Sequence, residues 1–353
     1  PSGYMFWSLL GGWENVDTAP AQTGISNLRS PGTNYAGIHL EGGYHGLQKK
    51  LVVNRFAVSA VTNGINLLQF ATGVDSGDQW LYVSNTTVNA RNHGISMMYA
   101  KPYPEPGAGG VCDIMAENVD IVAGQGGAGN GITISQGQWM GSSISASGTN
   151  AATGEPRVST ITSTNGCGIY LSSLNNGGPC SLGMTNTVVY GCPSNAIYLE
   201  ARGYGYTLAL NSVLQATLRN CTVVSNGLDG LRMFASNSVG NFAAITNCIF
   251  AGNGGSGVYL GTNAAAYPAP FACVEGYNVF FDDDIYTNST AKSVSGTTST
   301  GDPLFYAQQT KPDPWYKIGS RASPAYRTGL GGLNRGAYQT EAGLAKPTVF
   351  VFR

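Results

Sequence analysis

Charge is what this sequence most lacks. Charged residues are 10% of its 353 residues, against roughly 25% in an ordinary soluble domain. Formal net charge is −1, and the nearest thing to a basic cluster is Lys49-Lys50 with Arg55. Phosphate backbones are gripped by groups of cations that displace counterions, so nucleic acid is not an expected partner, and a polybasic membrane patch is excluded on the same ground. No run approaches the ~20 apolar residues of a membrane span. Phe6 to Leu10 is too short for a span or a complete signal peptide, and an opening Pro1 in place of Met suggests a processed or trimmed chain. The seven cysteines include no CxxC pair, which excludes zinc-ribbon chemistry. An odd number leaves at least one thiol unpaired within the chain; Cys180 and Cys192, flanked by Pro179 and Pro193, offer a loop disulfide, with free buried thiols the equal alternative. Gly-x-Ser-x-Gly, phosphate-loop and HExxH patterns are missing. The glycine-rich Gly124–Asn130 leads into no helical pattern, which excludes a nucleotide loop.

What is there instead is glycine, 50 residues of it, a polar complement of Asn, Ser and Thr, and enough apolar residues (42%) to build a core. These are arranged in a repeat. Asn85-Thr-Thr-Val88 leads to His93-Gly-Ile-Ser-Met, and Asn118-Val-Asp-Ile121 to Asn130-Gly-Ile-Thr-Ile. Val158-Ser-Thr-Ile161, Asn186-Thr-Val-Val189, Asn220-Cys-Thr-Val223 and Asn247-Cys-Ile-Phe250 each lead to a second short strand in the same way, and Asn278 begins another unit. The leading Asn positions advance by 33, 34, 27 and 31 residues, with a gap of 68 from Asn118 to Asn186 that spans two units.

A period of about 30 residues accommodates three short strands and three turns per coil. A strand of four or five residues cannot bury its inward side chains alone, but coils stacked at about 4.8 Å pair every backbone and align like residues in columns. Val88, Ile121, Ile161, Val189, Val223 and Phe250 form one expected aliphatic column, and Ile95, Ile132, Ile169, Ile197, Leu231 and Val258 another. Asn85, Asn118, Asn186, Asn220 and Asn247 form an expected corner ladder, because Asn tolerates left-handed backbone angles and hydrogen-bonds the coils above and below. The glycine that often follows the second turn is read as supplying the same permissive backbone. The predicted fold is therefore all-β, a single-stranded right-handed parallel β-helix.

These units resemble the parallel β-helix repeats of bacterial secreted and surface proteins, a superfamily that also contains pectate lyases and phage tailspikes. The tail is similar to the closing segment of many such proteins: Gly301-Asp-Pro-Leu-Phe305, Trp315-Tyr-Lys-Ile318, Ser323-Pro-Ala325 and Asn334-Arg-Gly-Ala-Tyr338. Tyr326-Arg327 stand where the family pattern has Ile-Asp, so an acidic capping interaction is expected to be missing. The resemblance covers roughly residues 50 to 340 and implies an extracellular or cell-surface location. It specifies architecture far better than activity.

Three regions follow: residues 1–30 as an N-terminal cap or docking segment, 31–300 as the β-helix, and 301–353 as a closing coil and terminal strand. Open solenoid ends are aggregation hazards unless covered. Phe6, Trp7 and Trp13 belong to an aromatic patch that either plugs the first coil or docks on another subunit. Val349, Phe350, Val351 and Phe352 form a β-prone strand that either folds back or adds to a neighbour.

Candidate chemistry is sparse. Asp282, Asp283 and Asp284 follow a predicted strand and are either a solvated acidic turn or a calcium site; no other cofactor is indicated. His39 and His45 flank Glu41 without a recognised ligand spacing, and His93 sits where other coils place Asn. Asn85, Asn220 and Asn288 begin N-glycosylation sequons, Asn288 being the freest of ladder duty, and Ser293–Thr300 is a candidate for O-linked sugar. Tyr170, Tyr198, Tyr204, Tyr206 and Tyr259 are candidate sugar-stacking rings, although three of them share one repeat position, as a structural ladder would.

Two functional classes fit. The first is a self-associating structural protein of a surface layer, sheath or filament, not an enzyme, favoured by scarce charge and apolar terminal segments. The second is a carbohydrate-active β-helix, a polysaccharide lyase or glycoside hydrolase, or a glycan-binding adhesin.

Overall fold

The computed structural model describes residues 4–6, 27–29, 37–42, 48–60, 62–70, 79–100, 111–135, 139–149, 156–174, 179–202, 213–236, 240–262, 271–287, 292–294, 297–305, 318 and 321–337. Every pairing between its named strands is parallel, and each strand pairs with its counterpart one coil on. The chain is a β-solenoid with three faces. The first face stacks Gln48–Asn54, the opening halves of Gln79–Ala90 and Val111–Ala123, then Trp139–Ser145, Cys180–Thr185, Leu214–Arg219, Asn241–Thr246, Phe271–Gly276 and Lys292–Val294. The second stacks Ala57–Ala60, the closing halves of the same two long strands, Ser159–Ser163, Thr187–Tyr190, Thr222–Val224, Ile249–Ala251 and Val279–Phe281. The third is a nine-stranded sheet running from Ile38–Gly42 to Ile285–Thr287.

One residue makes the corner between the first two faces. Asn85, Asn118, Asn186, Asn220 and Asn247 all have φ between 48° and 54°, as do Arg55 (60°) and Tyr277 (58°) in the outer coils. A single left-handed residue turns a strand without a loop, so two strands follow each other almost without interruption. Asn suits the position because its carboxamide continues the stack. Nδ2 of Asn118 donates to Oδ1 of Asn85 (3.3 Å), Asn220 to Asn186 (3.2 Å), and Asn247 to Asn220 (3.2 Å). One rung is absent between Asn118 and Asn186. There backbone groups replace the amide: Oδ1 of Asn118 accepts from the Ser147 N–H, and Nδ2 of Asn186 donates to the Ala146 carbonyl (3.0 Å).

The core is two-dimensional in the same sense. Val88, Ile121, Ile161, Val189, Val223 and Phe250 are successive register partners, and so are Ile95, Ile132, Ile169, Ile197, Leu231 and Val258. All twelve are buried. The first column ends with Phe250 lying flat on Phe280, with ring centroids 5.0 Å apart. The glycine that opens the third face has a different role from the one the sequence suggested. At Gly94 the backbone is not left-handed; an added Cβ would lie 2.4 Å from Ile121 Cγ2 and 2.6 Å from the Gly131 carbonyl oxygen. Space, not φ, selects glycine there.

The closing segment lies across the outside of the second face. Ile318 and Ala325 pack with Val224, Ile249, Ala251 and Val279, and Ala337 packs with Val188. This explains the Asn-Arg-Gly-Ala motif. Asn334 Oδ1 accepts from the Arg327 N–H (3.0 Å), and the buried Arg335 guanidinium donates to the Thr297 carbonyl (2.9 Å), the Thr328 carbonyl and the Ser299 hydroxyl. Gly336 has φ of 91° and donates to the Asn247 carbonyl. Leu330 N–H reaches Oδ1 of the same Asn247 (2.6 Å), so the tail terminates the corner ladder.

Candidate functional site

The described side chains with most chemistry gather on the outer surface of the third face. Along each strand there, alternate residues point away from the core. The outward positions of successive coils read Ser96, Thr133, Tyr170, Tyr198, Arg232 and Tyr259. The column thus changes from small hydroxyls to aromatic rings halfway along the solenoid. Tyr170 and Tyr198 have centroids 5.5 Å apart with rings tilted by 55°. The Arg232 guanidinium lies 4.2 Å from the Tyr259 ring centre and 5.9 Å from that of Tyr198, within reach of a cation–π attraction. Asp229, three residues earlier in the turn, fixes it with a 2.8 Å ion pair.

Beside this column lies Glu200, an outward-facing carboxylate that is only 2% exposed. It accepts hydrogen bonds from Tyr198 (3.0 Å), Tyr170 (3.3 Å) and Ser172 (3.4 Å). Burying a carboxylate on an outer face is costly unless donors surround it, and the tyrosine column supplies them. The sequence signal was incomplete: the shared repeat position of the tyrosines was visible, but Glu200 occurs in one coil only. Tyr204 and Tyr206 lie outside the described residues.

Of the three consecutive aspartates, Asp283 has a structural role. Asp283 ends a second amide ladder at the opposite corner of the coil. Nδ2 of Asn226 donates to Oδ1 of Asn253 (2.7 Å), and Nδ2 of Asn253 donates to Oδ2 of Asp283 (2.7 Å). Burial pushes the Asp283 carboxyl up to about 6, opposed by its bonds from Asn253 and reinforced by the charges of Asp284 and Asp282. Among the described residues no group of three His, Cys, Asp or Glu is arranged to hold a metal ion. Asp283 is occupied as a ladder acceptor.

His93 holds the place of Asn in a third ladder. Its N–H donates to Asn63 Oδ1 (3.2 Å) and its Nδ1 accepts from Asn130 N–H (2.9 Å), while burial lowers its pKa. His39 and Glu41 lie on the strand Ile38–Gly42, with side chains outside the description, as is His45. The cysteines are free thiols, all seven buried, so the loop disulfide between Cys180 and Cys192 is not formed. Cys180 stacks in register with Met140 and Leu214, and Cys192 donates its N–H to Asn226 across the coil. Burial pushes both thiols up to about 12, which keeps them protonated and poorly reactive at neutral pH.

No family model, characterised protein or solved structure matches the chain.

Two of the sequon asparagines are ladder members whose Nδ2, the atom a glycan would need, donates along the stack: Asn85 to Asn54 (3.2 Å) and Asn220 to Asn186 (3.2 Å). Asn288 lies outside the described residues, as do Trp7, Trp13, Val349, Phe350, Val351 and Phe352; of Phe6 only the backbone is described, in the strand Tyr4–Phe6. Among the described residues no helix is long and apolar enough to cross a membrane, which says nothing of β-barrels.

Proposed function

We propose that the protein is a self-assembling structural subunit of an extracellular layer, sheath or filament. The observation that carries this reading is the outer surface of the first face. It extends across eight register-matched strands from Val52 to Val274, and its central column holds neutral residues throughout, with Val52, Met115 and Val274 exposed by 59%, 44% and 54%. A long surface whose central column carries no charge resists association weakly. Three carboxylates take part in bonds between or within coils: Asp120 accepts from Thr160 (2.6 Å), Glu275 from Asn278 (2.8 Å), and Asp283 from Asn253 (2.7 Å). Membership of the pectate-lyase-like superfamily, secretion and a place at the cell surface belong to this proposal, resting on the repeat and the closing motif. Electron microscopy of native material tests it: ordered filaments or lattices are expected, and dispersed single particles at high concentration would overturn it.

A second reading is favoured by the third face. Tyr170, Tyr198, Arg232 and Tyr259 form a half-buried aromatic and cationic column suited to lying against a polysaccharide. Retention on immobilised acidic and neutral glycans, lost in Tyr198→Ala, is the expected result; equal passage of both proteins refutes it.

A further inference from the structure

About its middle, the first face places like residues at two pairs of equidistant positions and residues of opposite charge at a third. Its midpoint falls between the coil of Ser143 and the coil of Gly183, which are register partners. Three coils before the midpoint the central column reaches Val52, and three coils after it the same column reaches Val274. Two coils out, bulky Tyr82 is matched by small Ala244 in this column, and aromatic Trp80 by aromatic Phe242 in the neighbouring one. One coil out, Asp113 is matched by Gln215, and in the column beside the Asn corner Glu117 is matched by Arg219. At the centre, Ser143 is matched by Gly183, and Gly141 by Ser181.

A two-fold axis lying in the plane of contact and parallel to the strands, at the midpoint coil, brings each such residue of one molecule opposite its match in a second copy. It reverses the solenoid axis and keeps each column over itself. We infer that the first face is the contact surface of an antiparallel, two-fold symmetric dimer of this chain. This rests on the self-assembly reading and gives it an interface. The axis makes two Glu117–Arg219 pairs, places Val52 on Val274 at both ends, and sets Trp80 against Phe242. Sliding the second copy by one coil separates all three matches at once, so the register is specified. Glu117 and Arg219 are both exposed, and Glu117 is steadied by the Ser147 hydroxyl. Eight strands at about 4.8 Å span roughly 34 Å, and three columns add a width of roughly 18 Å, so the dimer covers on the order of 1,200 Å² in total. That reaches the lower bound of a specific interface.

The test is the mass of the full chain by sedimentation velocity, with charge exchange. The unaltered protein is expected to sediment as a dimer or a multiple of it. Glu117→Arg or Arg219→Glu alone puts like charges together twice, and is expected to weaken the dimer about tenfold or more. The two substitutions combined restore opposite charges and dimerisation. A second arm does not depend on charge: a mixture of Val52→Cys and Val274→Cys proteins forms a disulfide between chains under mild oxidation, and neither alone does so. Assembly that ignores both the charge exchange and the position of the thiols would overturn this interface while leaving self-assembly standing. A protein that stays monomeric at every concentration would overturn both.

Discussion

Removing one rung of the corner ladder has a calculable effect. Asn220 is 8% exposed, has φ of 50°, donates to Asn186 and accepts from the fully buried Asn247. In Asn220→Ala two side-chain hydrogen bonds vanish, at about 1 kcal/mol each. The Asn247 amide then lies buried without its acceptor, adding roughly 1 kcal/mol or more. Alanine at a left-handed position adds about 1 kcal/mol beyond what glycine would. The expected loss is therefore about 4 kcal/mol for Asn220→Ala and about 3 kcal/mol for Asn220→Gly. A solenoid loses stability locally because each coil contacts only its neighbours, so native-state hydrogen exchange is the fitting assay. The Asn220 N–H, bonded to the Thr246 carbonyl at 3.1 Å, is expected to exchange roughly a thousandfold faster in the alanine variant, with glycine in between. Protection unchanged to within threefold in both variants would refute the ladder as a source of stability. The same rung argues that attaching an oligosaccharide to Asn220 would destabilise the coil, so mass spectrometry of the native protein should find this site bare.

Three further outcomes follow from other positions. Because the folded carboxyl of Asp283 titrates at about 6, above its ordinary 3.8, folding favours its protonated form; the penalty present above pH 6 is relieved as pH falls through 6 and is gone below 3.8. Asp283 accepts from the Asn253 N–H on Oδ1 and from Asn253 Nδ2 on Oδ2; Asp283→Asn removes the titration and leaves one amide oxygen for these two donors, so it should flatten the pH dependence of the melting temperature between 4 and 7, and a dependence as steep as the unaltered protein's counts against the assignment. Gly336→Ala forces a Cβ to within 2.6 Å of Thr222 Oγ1 and 2.7 Å of Ile249 Cδ1 at a φ of 91°; a loss of about 2–4 kcal/mol, seen as early proteolysis of the tail, is expected, and wild-type resistance contradicts the packing. Arg335→Met leaves the Thr297 and Thr328 carbonyls without their donor, and should release the same segment without melting the central coils.

The parts of the structure that were legible in the sequence are those where one residue type must recur. A left-handed corner admits Asn with little strain, so its spacing marked the coils, and the buried positions three residues later marked the core. The first face was harder to see. Its strands carry inward residues as different as Leu81, Ile114, Ser142 and Leu182 in one register column, and alternation alone does not announce a repeat. Between Asn118 and Asn186 the Asn spacing was broken, but Val158-Ser-Thr-Ile161 still marked the intervening unit. Asp283 was ambiguous because a carboxylate that ends an amide ladder looks, in sequence, like one that waits for a cation. Glu200 could not be found from a repeat, being a departure from it. The cysteines were ambiguous in spacing and were decided by direction, since inward-facing thiols pack as small apolar groups.

The stacking itself is best tested by a distance between spin labels. Labels at the exposed Met115 and Val274 are far apart in sequence but sit in one column, five coil steps from each other. With labelled chains diluted in unlabelled protein, double electron–electron resonance should give a single narrow separation of about 24 Å, five times the strand spacing. A broad distribution, or a distance well beyond 40 Å, would mean that the coils do not lie in register on one another, and the account of fold, ladders and interface would fall together.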